Sequence, residues 1–164
     1  MTTTPPGAAR QPERGDLPVI RVAERADVPA IVALLADDVL GASRETPDDL
    51  APYEDAFERV AADPGQHLVV AERDGCVVAT LQLTVQPGLS RRGATRTILE
   101  GVRVASSERG SGLGTQLIEW AEEESRRLGC ALVQLTSDAT RLDAHRFYER
   151  LGFEKSHVGF KKVL

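Results

Sequence analysis

At 164 residues the chain has the length of one domain and enough material to bury a core. Its 41% hydrophobic and 27% charged residues suit a soluble globular protein, and no apolar run approaches the length of a membrane span. A net charge of -5 excludes a broad basic footprint for nucleic acid, so an anionic ligand must be met by local donors.

Residues 1–16 are rich in Thr, Pro and Arg, carry no signal-peptide core and are expected to be a disordered tail. Residues 17–164 are expected to form a single domain. A first strand is predicted over 17–22. A helix follows over 27–37, with Val28, Ile31, Leu34 and Leu35 at helical spacing. Residues 40–47 read as a loop, and a second helix over 48–62 ends at Asp63-Pro64-Gly65. Strands over 67–72 and 76–85 flank Arg73-Asp74-Gly75, a hairpin turn by its Asp-Gly pair. After a connection over 86–93, a long strand spans 94–104, with a possible bulge at Gly101. The helix over 113–128 gathers Leu113, Leu117, Trp120, Ala121 and Leu128 on one face, and Gly129 caps it. A strand over 130–135 follows. Thr140 and Asp143 resemble a capping pair for a helix that presents Ala144, Phe147, Tyr148 and Leu151 and closes at Gly152. Strands over 153–155 and 158–163 are predicted to complete the sheet. Cys76 and Cys130 fall in strand-like stretches and read as buried free thiols, which suits a cytoplasmic protein. No Cys/His cluster has metal-ligand spacing, and no metal is expected.

The chemistry centres on Arg109-Gly110-Ser111-Gly112-Leu113-Gly114-Thr115. A strand, a glycine turn and a helix start make an anion cradle. The first helical turn has N–H groups to offer, the helix dipole favours negative charge, and glycines leave no Cβ in the way. A P-loop needs a Lys and then Ser or Thr after its last glycine, and that Lys is absent here. A dinucleotide fingerprint needs Gly-x-Gly-x-x-Gly, one residue longer than this Gly-x-Gly-x-Gly. The pattern Gln/Arg-x-x-Gly-x-Gly/Ala fits at Arg109, Gly112 and Gly114.

That last pattern resembles motif A of the GCN5-related N-acetyltransferases (GNAT), whose turn holds the pyrophosphate of acetyl-CoA. A second stretch, from Asp143 through Ala144, Phe147 and Tyr148 to Gly152 and Phe153, is similar to the family's motif B, Ala-x-x-Phe-Tyr-x-x-x-Gly-Phe. The order β-α-α-β-β-β-α-β-α-β-β is that of the family too, so the resemblance spans most of the chain. It implies a mixed α/β fold, with a mostly antiparallel sheet splayed between its fourth and fifth strands and helices on both faces. The chain departs from the family at Arg141, where Asn commonly contacts the pantetheine arm. Arg141 is read as a cofactor contact that approaches a phosphate instead.

The resemblance implies acetyl-CoA as co-substrate and direct attack by a primary amine, with a small-molecule acceptor favoured. Backbone groups of Val102, Arg103 and Val104 would pair with the pantetheine as an added strand, and the Val104 amide would polarise the thioester carbonyl. Tyr148 is the expected general acid, since a phenol with pKa near ~10 can return a proton to a thiolate. Glu100 is the expected base. Period-2 alternation puts it on one face with Val102 and Val104, where burial would raise its pKa; the competing reading is a solvated charge or a partner for Arg103. His145 reads as a surface helix histidine. By resemblance the acceptor meets the loop over 40–47 and the segment over 156–160, and Glu45, Asp48, Asp49 and Tyr53 can receive a cation. Three alternatives stay open: a protein or peptide amine as acceptor, a non-catalytic acyl-CoA sensor, and a nucleotide-binding α/β protein. A homodimer is possible; no nucleic-acid or membrane partner is expected.

Overall fold

A computed structural model describes residues 17–37 and 41–163. The expected N-terminal tail and Leu40 lie outside the described residues. Five strands form one sheet in the order β1 (Val19–Val22), β2 (Gln66–Arg73), β3 (Cys76–Gln86), β4 (Arg96–Val104) and β5 (Leu132–Leu135). Every neighbouring pair is antiparallel except β4 and β5, which run parallel. The helices are α1 (Val28–Ala36), α2 (Ala51–Ala62), the single turn α3 (Ser90–Gly93), α4 (Leu113–Arg127) and α5 (Leu142–Arg150). None of the described helices is long and apolar enough to cross a membrane.

The strands are apolar on both faces because helices cover both. Val69, Ala71, Ala79, Leu81, Leu83 and Leu99 face α4, which answers with Leu113, Leu117, Ile118 and Ala121; Phe147 and Tyr148 of α5 pack against the same cluster. Val70 points the other way, onto Ile31, with Leu35 and Phe57 of α1 and α2 beside it. The alternation Val69, Val70, Ala71 thus divides one strand between two cores. The fully buried core hydroxyls are paired: Thr97 Oγ1 and Ser125 Oγ lie 2.7 Å apart, and Thr80 Oγ1 donates to Val69 O at 2.9 Å. Asp74 (φ +51) and Gly75 (φ +75) are both left-handed, as a two-residue hairpin turn demands. Gly129 (φ +73) ends α4, with Cys130 N–H donating to Ser125 O and Gly129 N–H to Arg126 O.

Three expectations need correction. No strand forms over 153–155 or 158–163. The left-handed Gly152 turns the chain back, so that Phe153 N–H donates to Tyr148 O and its ring meets Tyr148. Beyond that turn Val158, Phe160 and Val163 are exposed and pair with no strand of the sheet. The cysteines are not buried in strands: Cys76 is exposed at the hairpin, and Cys130 is half-buried between α4 and β5. Thr140 and Asp143 do not form a capping pair. Thr140 Oγ1 donates to Asp138 Oδ1, Asp143 is bound by Arg146, and Arg141 occupies the N-cap position of α5.

Candidate active site

The parallel ladder runs only from Arg96 opposite Leu132 to Leu99 opposite Leu135, so residues 100–104 of β4 continue past its last pair. The register with β3 shifts at the same place, and Gly101 there is left-handed at φ +59. These are the marks of a bulge. The bulge breaks the alternation, since Leu99, Val102 and Val104 all pack on the α4 side. Glu100 therefore faces away from Val102 and Val104 and is exposed. The single shared face and the buried carboxylate expected from period 2 are both corrected.

Where β4 and β5 part, a polar cleft of about 50 Å³ opens. Glu100 and Arg103 border it on the β4 side; Ser137, Arg141 and Tyr148 border it on the other. Tyr148 is held by edge-on contacts with Phe147 (ring centroids 5.1 Å apart) and Phe153 (5.8 Å). Burial pushes its phenol pKa up, while the positive charges of Arg141 and Arg103 pull it down by less. It is a neutral, proton-bearing hydroxyl at ordinary pH. Ser137 Oγ is buried with no hydrogen-bond partner among the described residues. Sequence reasoning missed Ser137; its only signal is the polar pair Thr136-Ser137 directly after a strand. His145 Nε2 lies 2.9 Å from Asp138 O, so the ring of this α5 residue is engaged with the loop before the helix.

The glycine turn leads from β4 into α4. Gly110 (φ +85) and Gly112 (φ +90) are left-handed, and a Cβ at either would meet nothing within 4 Å. Backbone shape, not crowding, asks for glycine here, and the approach to the main chain stays open. Gly114 is different: its Cβ would stand 3.3 Å from Phe147 Cζ, a tight contact that would push on the ring where α4 meets α5. Leu113 N–H is met by Ser111 Oγ at 3.3 Å, and Gln116 N–H donates to Gly112 O at 3.1 Å. The opening turn of α4 presents N–H donors of the kind a diphosphate accepts. The Arg109 side chain donates to Asp37 O and Oδ2, both at 3.1 Å, and so ties the turn to the end of α1. This cradle fits the pyrophosphate of a coenzyme A thioester.

A second cavity, apolar and about 130 Å³, lies between α1, α2 and the sheet. Ile31, Leu35, Tyr53 and Phe57 line it, and Gly101 borders both this cavity and the polar cleft. Tyr53 OH donates to Glu45 Oε2 at 2.9 Å and accepts Thr46 N–H at 2.8 Å. Asp48 and Asp49 are exposed, and residues 156–160 line neither cavity.

The pattern of the "Acetyltransferase (GNAT) family" matches residues 29–153. An aminoalkylphosphonate N-acetyltransferase of Salmonella typhimurium is 40% identical over 116 residues, covering 71% of this chain and 75% of that protein. An L-methionine sulfoximine/L-methionine sulfone acetyltransferase of Pseudomonas aeruginosa is 31% identical over 141 residues, covering 84% and 80%. Among solved structures, a Bacillus halodurans C-125 protein described as a transcriptional regulator superposes with TM-score 0.87 at 43% identity, over 90% of this chain and 99% of that one. The chain belongs to the GNAT acetyltransferase family.

Proposed function

We propose a division of labour for this N-acetyltransferase, in which a primary amine of a small molecule directly attacks the thioester carbon of acetyl-CoA. The C–N bond forms, the C–S bond breaks, and the thiolate leaves with a proton from Tyr148. The observation that carries this reading is the opening of β4 from β5: a polar cleft beside Tyr148, bordered by the strand that leads on to the glycine turn.

Main-chain N–H groups from Arg109 to Thr115, through Gly110, Ser111, Gly112, Leu113 and Gly114, hold the diphosphate, those of Arg109, Ser111 and Leu113 by exchanging their acceptors Ser106 O, Glu108 O and Ser111 Oγ. Backbone groups of Val102, Arg103 and Val104, on the β4 edge that β5 leaves, take the pantetheine arm as an added strand. The Val104 amide donates to the thioester oxygen. Burial supports the acid role of Tyr148, since a raised pKa keeps its proton in place until a thiolate develops. Glu100, exposed at the cleft, takes the ammonium proton, either directly or through water. Acetyl-CoA supplies the acyl group; the chain positions it and moves the protons.

The test is thiol release from acetyl-CoA across a panel of primary amines and a lysine peptide. Turnover with small amines and none with the peptide is expected. Coenzyme A binding with no turnover on any amine would favour an acyl-CoA sensor instead.

A further inference from the structure

We infer that the acceptor carries a compact apolar arm beside its amine, and that the cavity under α1 and α2 holds this arm while the amine stands at Glu100. The inference rests on the transferase reading and narrows its substrate class to primary amines with a branched-alkyl or single-ring substituent.

The face of the sheet decides where the acceptor lies. Leu81 and Leu83 pack on the α4 side, so Gln82 between them points the other way, into the cavity that Ile31, Leu35 and Phe57 line. Glu100 is the register partner of Gln82. Cross-strand partners share a face, so the proposed base and the cavity lie on the same side of the sheet. The next residue, Gly101, borders both the cavity and the polar cleft. A Cβ there would stand 3.8 Å from Leu35 Cδ2, so a side chain at this position would project toward the cavity wall, and glycine keeps the junction open. An amine at Glu100 therefore has an apolar space one residue away.

The chemistry of that space selects the arm. Tyr53, Ala56, Phe57 and Val60 of α2 have the spacing of a core face and line the cavity, yet none of them is fully buried. The polar side chains in the lining are engaged within the protein: Tyr53 OH with Glu45 and Thr46, Thr80 Oγ1 with Val69 O, and Gln82 Nε2 with Gln66 Oε1 at 2.9 Å. Such a lining offers water few partners, so an apolar group gains by displacing it. At about 130 Å³ the cavity approaches the roughly 150 Å³ that holds one benzene ring. Each methylene buried there is worth about fourfold in binding.

The experiment is steady-state kinetics with acetyl-CoA and two series of acceptors that differ in their arm. One series is ethylamine, butylamine, 3-methylbutylamine and benzylamine, with 3-aminopropanol as the polar match for butylamine. The other is alanine, leucine and phenylalanine, with asparagine as the polar match for leucine. In at least one series kcat/KM is expected to rise tenfold or more from the smallest arm to the best, with the apolar arm at least fivefold above its polar match. Ala56→Leu, which fills the cavity with a good helix former, should cut that preference at least fivefold. Phe57→Leu, which enlarges it, should raise the aromatic arms relative to the alkyl ones at least threefold. Melting curves exclude misfolded variants, and should Ala56→Leu fail to fold, the Phe57→Leu shift decides. Turnover that stays flat or falls as the arm grows in both series overturns the inference and leaves the transferase intact. So does a preference that the folded variants leave unchanged. So does a gain of butyryl-CoA over acetyl-CoA that Ala56→Leu removes, which would give the cavity to the acyl chain. Absence of turnover on every acceptor, with coenzyme A still binding by calorimetry, refutes the transferase reading and this inference with it.

Discussion

In the proposed reaction Tyr148 concentrates the chemistry into one hydroxyl, and its surroundings then dictate a pH dependence. An acid works only while protonated. Burial moves its pKa upward from the ordinary phenol value, and the two arginines only partly offset this. Turnover that depends on it should therefore persist through neutral pH and fall as pH rises through that elevated pKa. Tyr148→Phe should lower kcat by about 100-fold or more, the usual scale for a lost general acid. KM for acetyl-CoA should stay within twofold, and the alkaline fall should vanish from the residual rate. An unchanged kcat would remove Tyr148 from the mechanism. The phenol was legible in sequence because Phe-Tyr sits at fixed spacing before Gly-Phe. The environment of Glu100 was not, because a single bulge residue decides which face it occupies. Counting by twos from Val104 assumes an unbroken strand, and the left-handed Gly101 breaks it. Gly101 was itself readable as a bulge, but its consequence for the neighbouring Glu100 was not.

The elements that carry the site were legible where local chemistry is strict. Asp74-Gly75 demands two left-handed residues, and the apolar stripe of α4 runs from Leu113 to Ala121 on one side. The closing strands were not legible, since apolar residues such as Val158 and Phe160 form a strand only if an edge accepts them. The glycine turn separates backbone demand from ligand demand. Gly112 sits at φ +90 with open space around it, so any L side chain is strained there at roughly 1–2 kcal/mol, but none is blocked. Gly112→Ala should therefore weaken coenzyme A by about tenfold, the strain alone. Gly112→Asp adds a negative charge against the diphosphate and should weaken it by ~100-fold or more, measured by calorimetry. Equal losses in the two variants would show that charge plays no part at this turn. Retained affinity in both would put the diphosphate elsewhere.

At the scale of the molecule, the sheet is joined by only a short ladder where the cleft opens. β4 and β5 share four registered pairs, whereas β2 and β3 share eight. Beyond that ladder, β5 and α5 join the rest through side chains packed on the core cluster that α4 shares. A coenzyme A thioester lying along residues 102–104 and reaching the turn at 109–115 would bridge α4, β4 and α5 at once. It binds only the folded chain, so at a hundredfold excess over Kd it stabilises by about 2.7 kcal/mol. For a domain of this size each kcal/mol moves Tm by roughly 2–4 °C, so a rise of roughly 5–10 °C is expected. NAD also carries a diphosphate, but its second nucleoside cannot pair with a strand edge as pantetheine amides do. Its shift should be no more than about a third of that for coenzyme A at equal concentration. Equal shifts would mean that the turn reads only the diphosphate and that the β4 edge contributes nothing to binding. A shift with coenzyme A that survives Gly112→Asp would detach the glycine turn from the site altogether.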